Sequence, residues 1–220
     1  MLPMLSPRPG AELCGAIRVM CVDDHPIVRQ GLSAVIASDP GIDLVAEAMN
    51  GEDSIEAYRR HRPDVTLMDL HLPTMSGVEA IIAIRNEFPD ARIAVMTTEA
   101  GDVQIQRALA AGARGYLHKG KPMREVLAMI HEVHAGRISI PSSVASQLVE
   151  HLGEKQLSAR ELQVLRLVAR GDRNKEIGRK LDISEETVKM HLKNAAAKLN
   201  ARDRTHAVSI AIQRGIFTLE

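Results

Sequence analysis

The sequence predicts an α/β protein: a doubly wound, five-stranded parallel sheet followed by a small all-α domain of four helices. Three observations carry this expectation. As far as Gly136, five short apolar runs alternate with amphipathic helical patterns, and such alternation with right-handed crossovers gives a doubly wound sheet. Beyond Gln156 the apolar periodicity is helical only. The charge also divides, because the chain of 220 residues has 28 basic and 28 acidic side chains, yet the segment from Glu154 onward has 14 basic and 9 acidic ones. A basic second domain behind an acidic first one suggests that the second binds a polyanion.

Met1 to Ala16 holds Pro3, Pro7, Pro9 and Gly10 and no sustained apolar core, so residues 1–16 are expected to be a flexible extension rather than a signal peptide or membrane helix. Cys14 and Cys21 are the only cysteines. They show no zinc spacing, and a reducing cytoplasm is the simplest location. The first strand is Ile17 to Val22, ended by Asp23 and Asp24. Pro26 suits a first helical turn, and Ile27, Val28, Leu32, Val35 and Ile36 recur at helical spacing until Asp39-Pro40-Gly41. A strand Leu44 to Ala48 and a helix Glu52 to Arg60 follow. The central strand, Val65 to Met68, is almost wholly apolar, as befits a strand buried on both faces; it stops at Asp69 and turns through Pro73 and Gly77. Helix Val78 to Glu87, strand Ile93 to Met96, helix Asp102 to Ala111, strand Gly115 to His118 and helix Pro122 to Ala135 complete the first domain.

In open parallel sheets, ligands gather beyond the carboxyl ends of the strands. Asp23, Asp24 and Asp69 all fall there. Like charges so close together raise one another's pKa unless a cation compensates, and hard oxygen ligands left partly hydrated suit Mg²⁺. One acid alone would be a solvated strand end. Here the two remaining strands also finish in chemistry, at Thr97 and at Lys119. Acid pair, lone aspartate, hydroxyl and lysine, carried by VDDHP, MDLHLPTMSG, VMTT and GYLHK, resemble the receiver domain of two-component response regulators over residues 17–136.

The resemblance implies a flavodoxin-like strand order 2-1-3-4-5 and names roles. Asp69 would be the phosphoacceptor, supplied by a sensor histidine kinase or a small phosphodonor. Asp24, Asp69 and the main-chain carbonyl of His71 would bind Mg²⁺ directly, with Asp23 acting through water. Lys119 would pair with one phosphoryl oxygen, Thr97 would donate its hydroxyl to another, and Tyr116 would follow Thr97 inward as a packing switch. Two positions depart from the family pattern: Thr98 stands where a small residue is usual, and Gly120 follows Lys119 where many receivers have proline. His131 and His134 lie close on one helix, but without a third ligand they read as surface histidines.

Residues 137–156 form the expected linker, with Pro141, Ser142 and Ser143 followed by one short helical pattern, Val144 to Leu152. In the second domain, residues 157–220, Ser158-Ala159-Arg160-Glu161 has the form of a capping box for a helix ending near Gly171. A short helix Asn174 to Leu181, the turn Asp182-Ile183-Ser184 and a longer helix capped by Ser184 come next, then a fourth helix, Asp203 to Arg214. On the third helix Val188, Leu192, Ala195 and Leu199 share one side, leaving Lys189, Met190 and Lys193 on the other. Two helices joined by a tight turn, the second displaying lysines, fit a helix-turn-helix whose second helix enters the major groove. LSARELQVLRLVARG, NKEIGRKLDISEETVKMHLKN and DRTHAV resemble the LuxR-type domain of NarL/FixJ regulators. That resemblance implies base-edge contacts from Lys189, Met190 and Lys193, backbone contacts from Lys175, Thr187 and His191, and a homodimer on double-stranded DNA, formed through Asp203 to Arg214. It also implies that the unphosphorylated receiver can cover the recognition helix.

The expected function is therefore a phosphorylation-dependent, DNA-binding transcription regulator that catalyses only its own phosphoryl transfer and dephosphorylation, without a membrane partner. Three alternatives compete. A receiver acting without phosphorylation would not need the full set Asp23, Asp24, Asp69, Thr97 and Lys119. Aspartyl-nucleophile phosphatases place a second acid two residues after the nucleophile, where this chain has His71. A quorum-type sensor pocket wants aromatics, and the chain has two Phe, two Tyr and no Trp.

Overall fold

In the computed structural model, residues 15–98, 101–122, 124–150 and 156–217 are described, with side chains omitted for 147–150. Most of the expected N-terminal extension lies outside them. Strands β1 (Ile17–Val22), β2 (Ile42–Ala48), β3 (Val65–Met68), β4 (Ile93–Thr97) and β5 (Gly115–His118) alternate with α1 (Pro26–Ile36), α2 (Gly51–His61), α3 (Gly77–Glu87), α4 (Asp102–Ala110) and α5 (Arg124–His134). All pairings are parallel, in the order β2-β1-β3-β4-β5.

β3 lies in the middle of the sheet, and every one of its residues is buried, as its apolar run requires. The sheet separates two cores. One packs Met20, Met68, Val95 and Tyr116 against Ile81 and Ile84 of α3 and Ile105 of α4. The other packs Val19, Cys21, Leu67 and Met96 against Leu32 and Ile36 of α1 and Ile130 and Val133 of α5. β2 begins at Ile42, two residues before the expected Leu44, because Ile42 pairs with Ile17 at the start of β1. Ile27 departs from the apolar face assigned to α1: it is 84% exposed, since the first helical turn stands clear of the sheet.

α6 (Ser142–Glu150) lies in the linker, and Ile140 and Val144 pack onto the first core. α7 (Ala159–Ala169), α8 (Asn174–Leu181), α9 (Glu185–Lys198) and α10 (Arg204–Gln213) form the second domain. Their interior holds Leu165, Ala195, Leu199, Ala207 and Ala211 with Phe217, and Val164, Val168, Ile177 and Val188. The capping box at Ser158 forms as expected, and Glu161 of that box also pairs with Lys198 of α9 at 2.7 Å. In the α8–α9 turn, Asp182 adopts a left-handed conformation, φ 52°. A Cβ on Gly178 would stand 2.7 Å from the Ile183 carbonyl, so the tight turn depends on that glycine. No helix is long and apolar enough to cross a membrane among the described residues.

Candidate functional site

The carboxyl ends of β1, β3, β4 and β5 bring the acidic pair, Asp69, Thr97 and Lys119 together. Asp23 and Asp69 are 2% and 3% exposed. Burial of two carboxylates is costly unless they are paired, and Lys119 Nζ contacts Asp23 Oδ2 and Asp69 Oδ2, each at 2.6 Å. Burial works against the charged lysine, but hydrogen bonds to Asp23 and Asp69 prevail and hold its pKa above the usual value. Asp23 Oδ1 accepts the His25 backbone N–H at 2.9 Å, and Asp69 Oδ1 accepts that of His71 at 3.1 Å.

Oxygens of Asp23, Asp24 and Asp69 and a nitrogen of His25 lie within 4.8 Å of one another. Three acids against one lysine leave two negative charges, the balance that a divalent cation would cancel. Asp24 Oδ1 strengthens the fit. It is buried without a hydrogen-bond partner among the described residues; His25 Nδ1 stands 2.6 Å away but out of alignment for a hydrogen bond. The oxygen-rich set can hold a metal ion, and His25 is a neighbour the sequence argument overlooked although VDDHP contains it.

The β3–α3 turn fixes Asp69 through its backbone. Gly77 N–H donates to the Leu70 carbonyl at 3.0 Å, and a Cβ on Gly77 would lie 1.9 Å from the Asp69 carbonyl oxygen. Gly77→Ala is therefore expected to push the aspartate backbone out of place and to destabilise the domain by about 1–3 kcal/mol, the usual cost of overpacking. A lower midpoint in urea unfolding checks this; an unchanged midpoint would mean that the loop yields without strain.

Thr97 is fully buried. Its hydroxyl meets the His71 ring, Nδ1 to Oγ1 3.2 Å, a contact that sequence reasoning did not find because it gave His71 only a carbonyl role. Tyr116 is already buried, so any switch there is repacking within the core beneath α4 rather than insertion of an exposed ring. The Lys119–Gly120 peptide is trans, as are all described peptide bonds. His131 pairs with Asp39, Nε2 to Oδ2 2.9 Å, and forms no metal site with His134 among the described residues.

On α9, Glu186, Thr187, Lys189, Met190 and Lys193 line one shallow depression, with Met190 52% exposed. Lys189 is held by Glu186 at 3.3 Å and Glu185 at 3.6 Å. Lys175 is exposed at the start of α8, while Thr187 and His191 are half-buried. Among the described residues no receiver group bonds to this face, and Lys189, Met190 and Lys193 are exposed. The hydrogen bonds described between the two domains run instead from α4 to the end of α10: Arg214 Nη2 reaches Asp102 Oδ2 at 2.8 Å, Arg214 Nε contacts the same carboxylate at 3.1 and 3.2 Å, and Val103 N–H donates to the Arg214 carbonyl at 3.2 Å. A Cβ on Gly101 would lie 1.9 Å from the Arg214 carbonyl carbon. The carboxyl end of one helix thus abuts the amino end of another, where their dipoles attract.

Residues 19–131 match the family described as the response regulator receiver domain, and residues 155–211 match the bacterial regulatory proteins of the luxR family. The chain belongs to the response regulators with a LuxR-type DNA-binding domain. The transcriptional regulatory protein LiaR of Bacillus subtilis (strain 168) is 37% identical over 203 residues, covering 89% of this chain and 96% of that protein. The nitrate/nitrite response regulator NarL of Escherichia coli (strain K12) is 34% identical over 208 residues, covering 90% and 96%. Among solved structures, the response regulator ChrA of a heme-sensing two-component system is 34% identical at a TM-score of 0.56, covering 92% of this chain and 100% of that one. The RcsB–DNA complex is 25% identical at 0.67, covering 90% and 99%. As a response regulator of this kind, the chain is a DNA-binding transcription regulator whose receiver implies control by phosphorylation.

Proposed function

We propose that Asp69 is the phosphoacceptor and that its phosphorylation governs DNA binding by α9. The observation that carries this is the buried pair Asp23 and Asp69 held by one lysine at a sheet edge, beside the hydroxyl of Thr97. The Asp69 carboxylate attacks phosphorus and forms an O–P bond; the N–P bond of a sensor kinase's phosphohistidine breaks, and the leaving imidazole takes up a proton. A small phosphodonor serves the same step. Mg²⁺, held by Asp24, Asp69 and the His71 carbonyl with Asp23 acting through water, would supply charge neutralisation for the phosphoryl oxygens. Lys119 then leaves Asp69 for a phosphoryl oxygen, and Thr97 donates its hydroxyl to another. The protein acts on no separate substrate. Mass measurement after incubation with a small phosphodonor tests the reading: one hydroxylamine-labile phosphoryl group is expected, and none, or one that resists hydroxylamine, would oppose it.

The solved RcsB–DNA complex supports carrying DNA contacts to α9. Lys189, Met190 and Lys193 read base edges, and Lys175, Thr187 and His191 lie nearer the phosphates. A lost lysine-phosphate contact lowers the salt slope by about 0.9, whereas a lost base contact alters discrimination by roughly 1–3 kcal/mol. Lys193→Ala is expected to weaken operator binding more than random-DNA binding in fluorescence anisotropy. Equal losses on both would make Lys193 a backbone contact.

The two domains communicate through the α4–α10 contact rather than by covering α9. α4 starts five residues after Thr97, so a shift of Thr97 is passed along a short stretch of chain to Asp102. Phosphorylation releases the end of α10, and the freed helix pairs with that of a second copy on DNA, since helix-turn-helix dimers read two half-sites about one turn apart. This biases an existing two-state contact rather than building a new one.

A further inference from the structure

His71 is tied to both ends of the proposed switch: its backbone N–H donates to Asp69 Oδ1 at 3.1 Å, and its Nδ1 shares a hydrogen bond with Thr97 Oγ1 at 3.2 Å. We infer that the His71 imidazole is a positioning residue that holds the Thr97 hydroxyl in the resting arrangement and opposes its capture by a phosphoryl group on Asp69. The inference rests on the phosphoacceptor reading above.

The His71 ring and the phosphoryl group compete for a single hydroxyl. Thr97 has one proton to donate and two lone pairs. If Nδ1 is unprotonated, it accepts that proton, which is the one the phosphoryl oxygen needs. If Nδ1 carries hydrogen, it donates to Oγ1, and the hydroxyl is still anchored on the β3 side of the site. In either tautomer, movement of Thr97 onto the phosphoryl group breaks the bond. The hydroxyl exchanges one partner for another, and the group left to find a new one is the half-buried His71 ring, so the bond adds a modest cost to switching. An ordinary net hydrogen bond shifts a two-state equilibrium by roughly 2- to 10-fold, which sets the size of the expected effect. The His71 side chain would then tune how much phosphoryl occupancy is needed to throw the switch, while its main-chain carbonyl would serve the cation.

Tyr116 gives a readout, since it is one of only two tyrosines and lies one strand from Thr97. The full chain labelled with ¹³C-tyrosine is titrated with beryllofluoride, a phosphoryl mimic, in the presence of Mg²⁺, and the concentration that half-shifts the Tyr116 resonance is recorded. His71→Ala is expected to switch at a 2- to 10-fold lower concentration. His71→Asn, whose amide offers the hydroxyl a partner again, is expected to move back toward the parent chain. In a Thr97→Ala background, with the ¹⁹F resonance of the bound beryllofluoride as readout, His71→Ala is expected to leave the midpoint unchanged, a result that a general loosening of the loop would not give. An unchanged or raised midpoint in His71→Ala, or the same shift with and without the Thr97 hydroxyl, would overturn the inference. If the parent chain itself shows no Mg²⁺-dependent response, the phosphoacceptor reading falls and this one falls with it.

Discussion

Asp69→Asn is expected to reduce Mg²⁺-dependent labelling by a small phosphodonor to the uncatalysed background. The amide is neutral, a poor nucleophile and a weak ligand for a hard cation, so the substitution removes the attacking atom and part of the cation site together. The fold should survive. Lys119 keeps its contact with Asp23 at 2.6 Å, and loss of one of three neighbouring carboxylates relieves like-charge repulsion. Circular dichroism should therefore overlay that of the parent chain while the label disappears. Labelling that persisted undiminished in the variant would place the acceptor on another residue.

Arg214→Ala is expected to raise operator binding by the unphosphorylated full chain. The Asp102 carboxylate is 8% exposed and the Arg214 side chain 17%, so removal of the guanidinium leaves a buried acid without its bidentate donor. Truncation of one member of such an interfacial pair costs roughly 2–5 kcal/mol. That loss lets the contact open, and the gain in DNA affinity is limited by the fraction of closed molecules in the parent chain: a 99:1 excess of the closed form bounds it near 100-fold. The variant should respond little to phosphorylation, because the step that phosphorylation drives has already occurred. The isolated fragment Glu154 to Glu220 should likewise bind without phosphorylation. Anisotropy titrations on one operator decide the matter. If the unphosphorylated parent chain bound as tightly as the phosphorylated one, the α4–α10 contact would not be inhibitory.

Much of this was legible in the chain. The alternation of apolar runs and helical periodicities marked five strands and five helices, because burial on both faces of a parallel sheet demands continuous apolar runs, and amphipathic crossovers demand a repeat of 3.6. The acids, Thr97 and Lys119 were legible for the same reason. Each directly follows a strand, and parallel strands deliver their ends to one edge. The lysines of α9 could be placed outward once Val188, Leu192, Ala195 and Leu199 were placed inward.

What the sequence by itself determined is everything fixed by local period and by strand ends: the two-domain plan, the edge where the acids meet, and the exposed face of α9. Only the tertiary structure decided how residues far apart in the chain meet side by side. Lys119 spans Asp23 and Asp69, the His71 ring finds Thr97 across two strands, and Arg214 reaches Asp102 at a separation of 112 residues. Periodicity specifies which face a side chain takes, but not its rotamer or which charged partner lies opposite. The contact between domains is furthest from view, since a few hydrogen bonds and an ion pair at two helix ends leave no repeating pattern in the chain.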